Sequence, residues 1–317
     1  MNTVIVGCGA IADRWARALQ ADGRANVVAV ADPDQQRAEH LVRQRFPAAA
    51  AVADLRQALG VTSADVVVNL TPPDRHPQII SQALEAGLHV LTEKPLTLHL
   101  ADALDLARLA QERNLVLAVM HNRALDPRFA AFAQPLRDRG PYTVSADVSV
   151  TLTTPGFRAD TDRPVLTDLA VHAFDQVQSL ITAAPLTVTA TEIGLPFLAD
   201  HCSLATVTVA FADGSVLAYR GSYTTVSTRA GALGRWHVTA DAASGQWEVE
   251  PAAVGAVPAY QTCITTMIDA VGAVRAGRPP VRPTIALRSS AILDAALVSA
   301  ARHGRTTTIH CIPQVAS

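Results

Sequence analysis

Lys94 is the only lysine in this 317-residue sequence; the other 25 of its 26 basic residues are arginine. A chain this tolerant of arginine keeps one amine where the proton itself matters. A guanidinium stays protonated at any accessible pH, whereas an ammonium loses its proton when desolvated or crowded by charge. Glu93 stands before Lys94, and Pro95 follows it with a fixed φ that directs the departing backbone. A second pair lies downstream. Asp168 and His172 are four residues apart within Val165–Thr182, where the apolar spacing predicts a helix, so both project from one face. Histidine titrates near neutrality, the property that proton exchange requires. Read alone, Asp168 is an exposed helix residue and His172 a core histidine; together with Lys94 they make a set able to move protons.

The elements that must carry these groups follow from hydrophobic patterning. Thr3–Val6, Val27–Ala31, Val66–Leu70, His89–Thr92 and Leu115–Met120 are continuous apolar runs, the signature of strands buried on both faces. Helical periodicity fills the gaps at Ile11–Ala21, Asp34–Phe46, Asp54–Leu59, His76–Ala86 and Leu100–Asn114, with Gly87 and Asn114 placed to end two of them. Alternation of this kind predicts a parallel sheet with helices on both sides. Gly7-Cys8-Gly9-Ala10-Ile11-Ala12 joins the first strand to the first helix and fits GxGxxG/A. Gly7 permits the tight turn, Gly9 admits a pyrophosphate against the backbone, and the small Ala12 allows close helix–strand packing. The anion would rest on the helix amino terminus, where free N–H groups and the dipole favour negative charge. Asp32 ends the second strand 20 residues beyond Ala12. A carboxylate there accepts from ribose hydroxyls and repels a 2′-phosphate, which Asp34 reinforces, so NAD is favoured over NADP. Arg37 lies near enough in sequence to leave NADP open. Leu70-Thr71-Pro72-Pro73 forms a rigid turn at the carboxyl edge of the sheet, and the strand at His89 delivers Glu93 and Lys94 to that same edge.

Beyond Asn122 the pattern changes. Arg123–Arg139 can be helical despite Pro127 and Pro135, and Val144–Thr151 alternates as a half-exposed strand. Thr187–Ile193, Ser203–Ala212, Ser215–Tyr223, Arg235–Ala240 and Gly245–Glu250 read as further strands, with a hairpin signal at Asp213-Gly214. Two helices, Tyr260–Ala276 and Thr284–Arg302, close the chain. Net charge of −2, a pI near 6.5 and 4% aromatic residues give no footprint for nucleic acid. No uninterrupted apolar run reaches the ~18 residues of a membrane span, and the amino terminus reads as a strand rather than a signal peptide. Cys8, Cys202, Cys263 and Cys311 are scattered without a CxxC pair, so reduced thiols in a cytoplasmic protein are expected and no metal site.

These motifs resemble the Gfo/Idh/MocA oxidoreductases, the family of glucose–fructose oxidoreductase and inositol dehydrogenase. The resemblance rests on GCGAIA, Asp32, NLTPPDRH, AGLHVLTEKP, Asn122-Arg123, the Asp168-Leu169-Ala170-Val171-His172 stretch and the closing PTIALRSSAILDAALVSAARHGR. It implies a Rossmann domain, a doubly wound parallel sheet over 1–121, then a mostly antiparallel open-sheet α+β domain over 122–317 whose last helix packs back on the first. It implies hydride transfer between a nicotinamide and a carbon bearing oxygen in a sugar, cyclitol or related polyol, with Lys94 and His172 as acid/base groups and Asp168 orienting them. Gly7, Gly9, Ala10, Ile11, Asp32, Thr71, Pro72, Pro73, His76, Glu93, Lys94 and Asn122 would serve the cofactor, although His76 reads mainly as structural. Arg123, Arg158 and Arg163 join Asp168 and His172 as candidate substrate contacts. Sugar-active members often carry paired glycines just before the aspartate; this chain has Arg163-Pro164-Val165-Leu166-Thr167 there. The two arginines point either to an anionic substrate group or to a solvated loop. A biosynthetic NADPH-dependent keto-sugar or imine reductase is the nearest alternative, and a non-catalytic dinucleotide sensor the alternative of another class. By the same resemblance a homodimer or homotetramer forms through the second-domain sheet, with a small-molecule substrate and neither nucleic acid nor membrane as partner.

Overall fold

The aliphatic runs of the first third become the strands of one sheet. The computed structural model describes residues 1–152, 156, 158, 161–225, 232–240, 243–249, 257–281 and 283–310. Cys311, Glu250 and part of the segment Thr151–Arg163 lie outside the described residues. In chain order β1 (Asn2–Val6), α1 (Ala12–Asp22), β2 (Asn26–Ala31), α2 (Gln35–Arg45), β3 (Ala50–Val52), α3 (Leu55–Val61), β4 (Val66–Asn69), α4 (His76–Glu85), β5 (His89–Thr92), α5 (Leu100–Glu112) and β6 (Leu117–Val119) alternate without exception. The six strands pair in parallel in the order β3-β2-β1-β4-β5-β6. Strand order reverses at β1, so the crevice beyond the carboxyl ends of β1 and β4 is the switch point where open α/β sheets bind ligands. The edge strand β3 was not expected, because three residues of an alanine-rich run carry no strand signal. The predicted stops hold: Gly87 and Asn114 both take left-handed φ, 80° and 54°.

The second sheet is mixed. Its elements are α6 (Pro127–Ala133), β7 (Tyr142–Thr151), α7 (Val171–Val177), β8 (Pro185–Gly194), β9 (Ser203–Phe211), β10 (Val216–Thr224), β11 (Ala232–Ala240), β12 (Ala243–Val249), α8 (Val257–Arg275), α9 (Thr284–Ala301) and β13 (Thr307–Thr308). Strand order is β12-β11-β7-β10-β9-β8-β13, antiparallel throughout except for the parallel β7–β10 pair. Gly214, φ 87°, turns the β9–β10 hairpin. The helix predicted over Arg123–Arg139 shrinks to α6 because Pro127 can only open a helix and Pro135 stops it. The helix predicted over Val165–Thr182 begins as a π-helix, Val165–Ala170, before continuing as α7. Its residues are buried apart from the carboxyl end, and it packs on β9 and β10.

The chain divides into two units: Met1–Thr97, Ala101–Asn122 and Gly255–Thr284 make the first, and Leu98–Leu100, Arg123–Val254 and Ile285–Ser317 the second. The helix that returns to the first unit is therefore α8, not the last helix. Its Tyr260, Cys263, Ile264, Met267 and Val271 are buried, it packs along α1, and Thr265, Asp269 and Arg275 bond to Asp22, Arg24 and Asp65. The last helix, α9, stays in the second unit, where Ser289 bonds to Asp175 at 2.5 Å and Ser299 accepts from the Ala190 N–H at 2.9 Å. By length and mean hydropathy α9 could cross a membrane. Arg288 and Asp294 interrupt it, and ten of its residues are buried within the protein, so it reads as a core helix.

Candidate functional site

The glycine-rich turn leaves β1 with Gly7 at φ 98° and its N–H bonded to the Ala31 carbonyl. A Cβ there would meet the Leu70 carbonyl carbon and oxygen at 2.8 Å, so the turn lies directly on the end of β4. Gly9 differs: a Cβ on it would meet nothing within 4 Å and would only fill open space. No side chain caps α1 among the described residues. An open glycine before an uncapped helix amino terminus is a cradle that fits a pyrophosphate. Ala10 and Ile11 line that turn, and Ala12 is buried at 2% exposure where the helix meets the sheet. Asp32 accepts from the Cys8 N–H at 2.7 Å and the Asp34 N–H at 2.8 Å, so the carboxylate at the end of β2 braces the turn. Burial first, then the Asp32 charge, pushes the Cys8 thiol up to about 12, which keeps it protonated and unreactive.

Buried Asn69, at the end of β4, ties the neighbouring loops together. Its Oδ1 accepts from the Thr71 hydroxyl at 2.7 Å and the Thr71 N–H at 3.2 Å, and its Nδ2 donates to the Thr92 hydroxyl at 3.0 Å. Pro72 and Pro73 then lead through a tight turn into α4. His76 at the start of α4 is wholly buried, with Nε2 2.9 Å from the Thr71 carbonyl and Nδ1 2.7 Å from the Pro95 carbonyl. Burial lowers its pKa against the opposing pull of those carbonyls. His76 thus turns both ring nitrogens to the backbones of two site loops, the neutral ring donating to one of the two carbonyls, instead of presenting them to a ligand. Glu93 is held at both oxygens: the Trp15 indole donates to one at 2.7 Å and the Lys94 N–H to the other at 3.2 Å. Trp15 is fully buried and edge-on to Tyr260 of α8 at 5.7 Å. Lys94, joined to Pro95 by a cis peptide, leaves this edge half-buried. Asn122 closes the set with a buried Oδ1 that has no hydrogen-bond partner among the described residues, an acceptor suited to a bound donor.

In the second unit Asp168 (9% exposed) and His172 (6%) lie on the same buried helix. Asp168 is clamped. Its Oδ2 accepts from Arg158 Nε at 2.7 Å, Arg158 Nη2 at 2.6 Å and the Tyr223 hydroxyl. The Arg158 guanidinium stacks over the Tyr223 ring at 5.4 Å, and burial together with the Asp168 charge raises the Tyr223 phenol well above its ordinary range. Arg163 departs from this group: it has left-handed φ 49°, its side chain pairs with Asp162, and its carbonyl accepts from Thr167. Arg123 lies where its charge acts on the buried Tyr219 phenol. Glu192 of β8 accepts from the Val165 and Leu166 N–H groups at 2.9 and 3.0 Å, at the start of the helix that bears Asp168.

The sequence matches a family model described as "Oxidoreductase family, NAD-binding Rossmann fold" over residues 1–121. It is 35% identical to myo-inositol dehydrogenase Hyg17 of Streptomyces leeuwenhoekii, over 66% of this chain and 65% of that protein. Residues 1–121 thus match the Gfo/Idh/MocA oxidoreductase family, and the longer alignment carries the resemblance into the second unit. Another family relative, UDP-N-acetylglucosamine 3-dehydrogenase of Acidithiobacillus ferrooxidans, is 29% identical over 68% of this chain and 65% of its own length. The matched segment therefore spans a little less than two thirds of each of these curated proteins. Among solved structures, GenD2 from gentamicin A biosynthesis in complex with NAD aligns over 98% of this chain and 97% of its own, with TM-score 0.82 and 27% identity.

Sequence reasoning missed Asn69, Trp15, Tyr223 and Glu192. Asn69 stands two residues before the singled-out Thr71, and a polar residue closing an otherwise apolar strand is a usable signal. The other three act on groups 26 to 78 positions away, across separate elements, and no local pattern reports such partners.

Proposed function

We propose that this protein is an NAD-dependent dehydrogenase acting on a hydroxyl-bearing carbon of a neutral sugar or cyclitol, and reversibly a reductase of the corresponding ketone. The observation that carries the reading is the open Gly9 before an uncapped α1, with Asp32 closing β2 beside it and Lys94 at the end of β5. These residues fit a dinucleotide: the turn and helix end would take the pyrophosphate, Asp32 the adenosine ribose, and Asn122 Oδ1 a donor of the nicotinamide end. When bound, the nicotinamide accepts or returns a hydride at C4. The chain's own part is to orient the substrate, hold it close and move one proton. On oxidation the substrate C–H pair leaves as hydride and its O–H proton passes to Lys94 or His172; on reduction both return. Asp168, ion-paired with Arg158, orients substrate hydroxyls and the histidine.

Two observations support finer choices. Arg37 is ion-paired to Asp34 at 3.1 Å, so its charge is already compensated, which favours NAD over NADP. Arg158 and Arg163 are each paired with a carboxylate, which weakens the case for an anionic substrate group and favours a neutral polyol ring. Assembly through the open face of the second sheet belongs to the same proposal. Thr143, Ser145, Thr206, Thr208, Ala218 and Arg220 are exposed there, and light scattering of the purified protein should return a dimer or tetramer.

The deciding experiment measures NAD and NADP binding, then turnover against pools of cyclitols, sugars, nucleotide sugars, their ketones and cyclic imines. Turnover of a polyol pool with NAD is expected. Tight cofactor binding with no turnover in any pool would replace this reading with the sensor; turnover of imines or keto-sugars with NADPH alone would replace it with the biosynthetic reductase.

A further inference from the structure

Resting on the proposed function, we infer that Glu192 is a positioning residue for the reaction, setting where the Asp168–His172 helix stands on its sheet. The first N–H groups of any helix lack internal partners, and a buried helix must find them elsewhere. Here the preceding residue is Pro164, which has no capping side chain and makes no side-chain cap bond. Glu192 supplies the missing acceptor from β8, one oxygen receiving Val165 N–H at 2.9 Å and the other Leu166 N–H at 3.0 Å. The Ser203 hydroxyl of β9 donates to the same Oε1 at 2.8 Å. Arg163, in its left-handed turn, takes the Thr167 N–H at 3.1 Å, so the donors that follow are satisfied from behind.

The carboxylate is fixed by two strands in register, Glu192 opposite Ala205 and Gly194 opposite Ser203. Tyr223 of β10 then grips Asp168 a turn further along the helix. The helix is therefore pinned to the sheet at two points, one at its start and one at the Asp168 side chain, with His172 the next turn on. Loss of the first pin leaves the π-helical turn to settle on backbone geometry alone. An acid/base group that drifts by about 1 Å can cost on the order of a hundredfold in rate.

Glu192→Gln is nearly isosteric but replaces one acceptor with an NH2 that faces an N–H. We expect kcat to fall on the order of tenfold or more, KM to change less, and NAD affinity to stay at its wild-type value, since the cofactor residues lie in the first unit. The His172 ring 1H–13C resonance, assigned by its loss in His172→Asn, should move in the same variant. That spectrum needs no turnover, so it tests the pin even if the dehydrogenase reading fails. Wild-type kcat with an unmoved His172 signal would overturn the proposal, as would a fall in NAD affinity matching the fall in kcat. If Glu192→Gln does not fold, Ser203→Ala carries the test. A smaller fall in kcat, about threefold as an order-of-magnitude expectation, with a shifted His172 signal supports the pin; wild-type values for both reject it.

Discussion

Gly7 and Gly9 stand two residues apart and are glycine for different reasons, which makes them separable by experiment. Gly7 has φ 98° and no room for a Cβ against Leu70, so Gly7→Ala should destabilise the fold by about 1–3 kcal/mol, read by urea unfolding. Gly9 has open space on its Cβ side, so Gly9→Ala should unfold like the wild type and bind NAD at least tenfold more weakly, an order of magnitude that corresponds to ~1.4 kcal/mol. Equal NAD affinity in Gly9→Ala would remove the pyrophosphate from that turn. Lys94→Arg keeps the charge and forfeits the transferable proton; turnover should drop by about 100-fold or more while NAD binding persists. Near-normal turnover in that variant would end its acid/base role. Lys94, the glycines and Asp32 were legible in the sequence because each is a residue type that its chemistry restricts. The clamp on Asp168 was not, since Arg158 and Tyr223 declare themselves only through a shared oxygen.

At the level of elements, strands buried on both faces announce themselves as unbroken aliphatic runs, which is why the first sheet was readable but for the three-residue edge β3. The π-helical start of the Asp168 segment had no such signature: its apolar spacing matches an ordinary helix, and its capping carboxylate comes from another strand. Loops show the same contrast. His76 was marked by its place after the Pro-Pro turn, yet its clasp of the Thr71 and Pro95 carbonyls depends on how α4 enters beneath them. That clasp has a pH signature. Burial holds the folded-state pKa of His76 below the ordinary 6.5, so the unfolded chain binds more protons and stability rises with pH through that window. Stability should therefore decline as pH falls below about 6.5, and His76→Gln should flatten that decline in melting curves taken across the range. His89 is shifted the same way by burial, so a smaller slope should remain in the variant.

Across the whole molecule, the two sheets follow one another along the chain, whereas the two compact units interleave. The first unit takes α8 from between two segments of the second, and Tyr260 of that helix backs the tryptophan that holds Glu93. A change of hydrophobic period marks where a sheet ends; it carries no information about which helix comes home. Residues 1–122 alone should thus give a protein with the apolar flank of α1 exposed, lower in melting temperature and weak for NAD. Joining 255–284 to it through a flexible linker should restore both. If the shorter fragment matches the intact protein in NAD affinity, α8 is dispensable to that half of the site. The borrowed helix also sets an order of events during synthesis. The first sheet is translated first, yet it waits, one flank of α1 uncovered, until β7 to β12 of the second sheet have been made and Tyr260 emerges. Slow stretches of translation and holding chaperones would matter most in that interval, when an early-made sheet stands ready and its missing wall is still unmade.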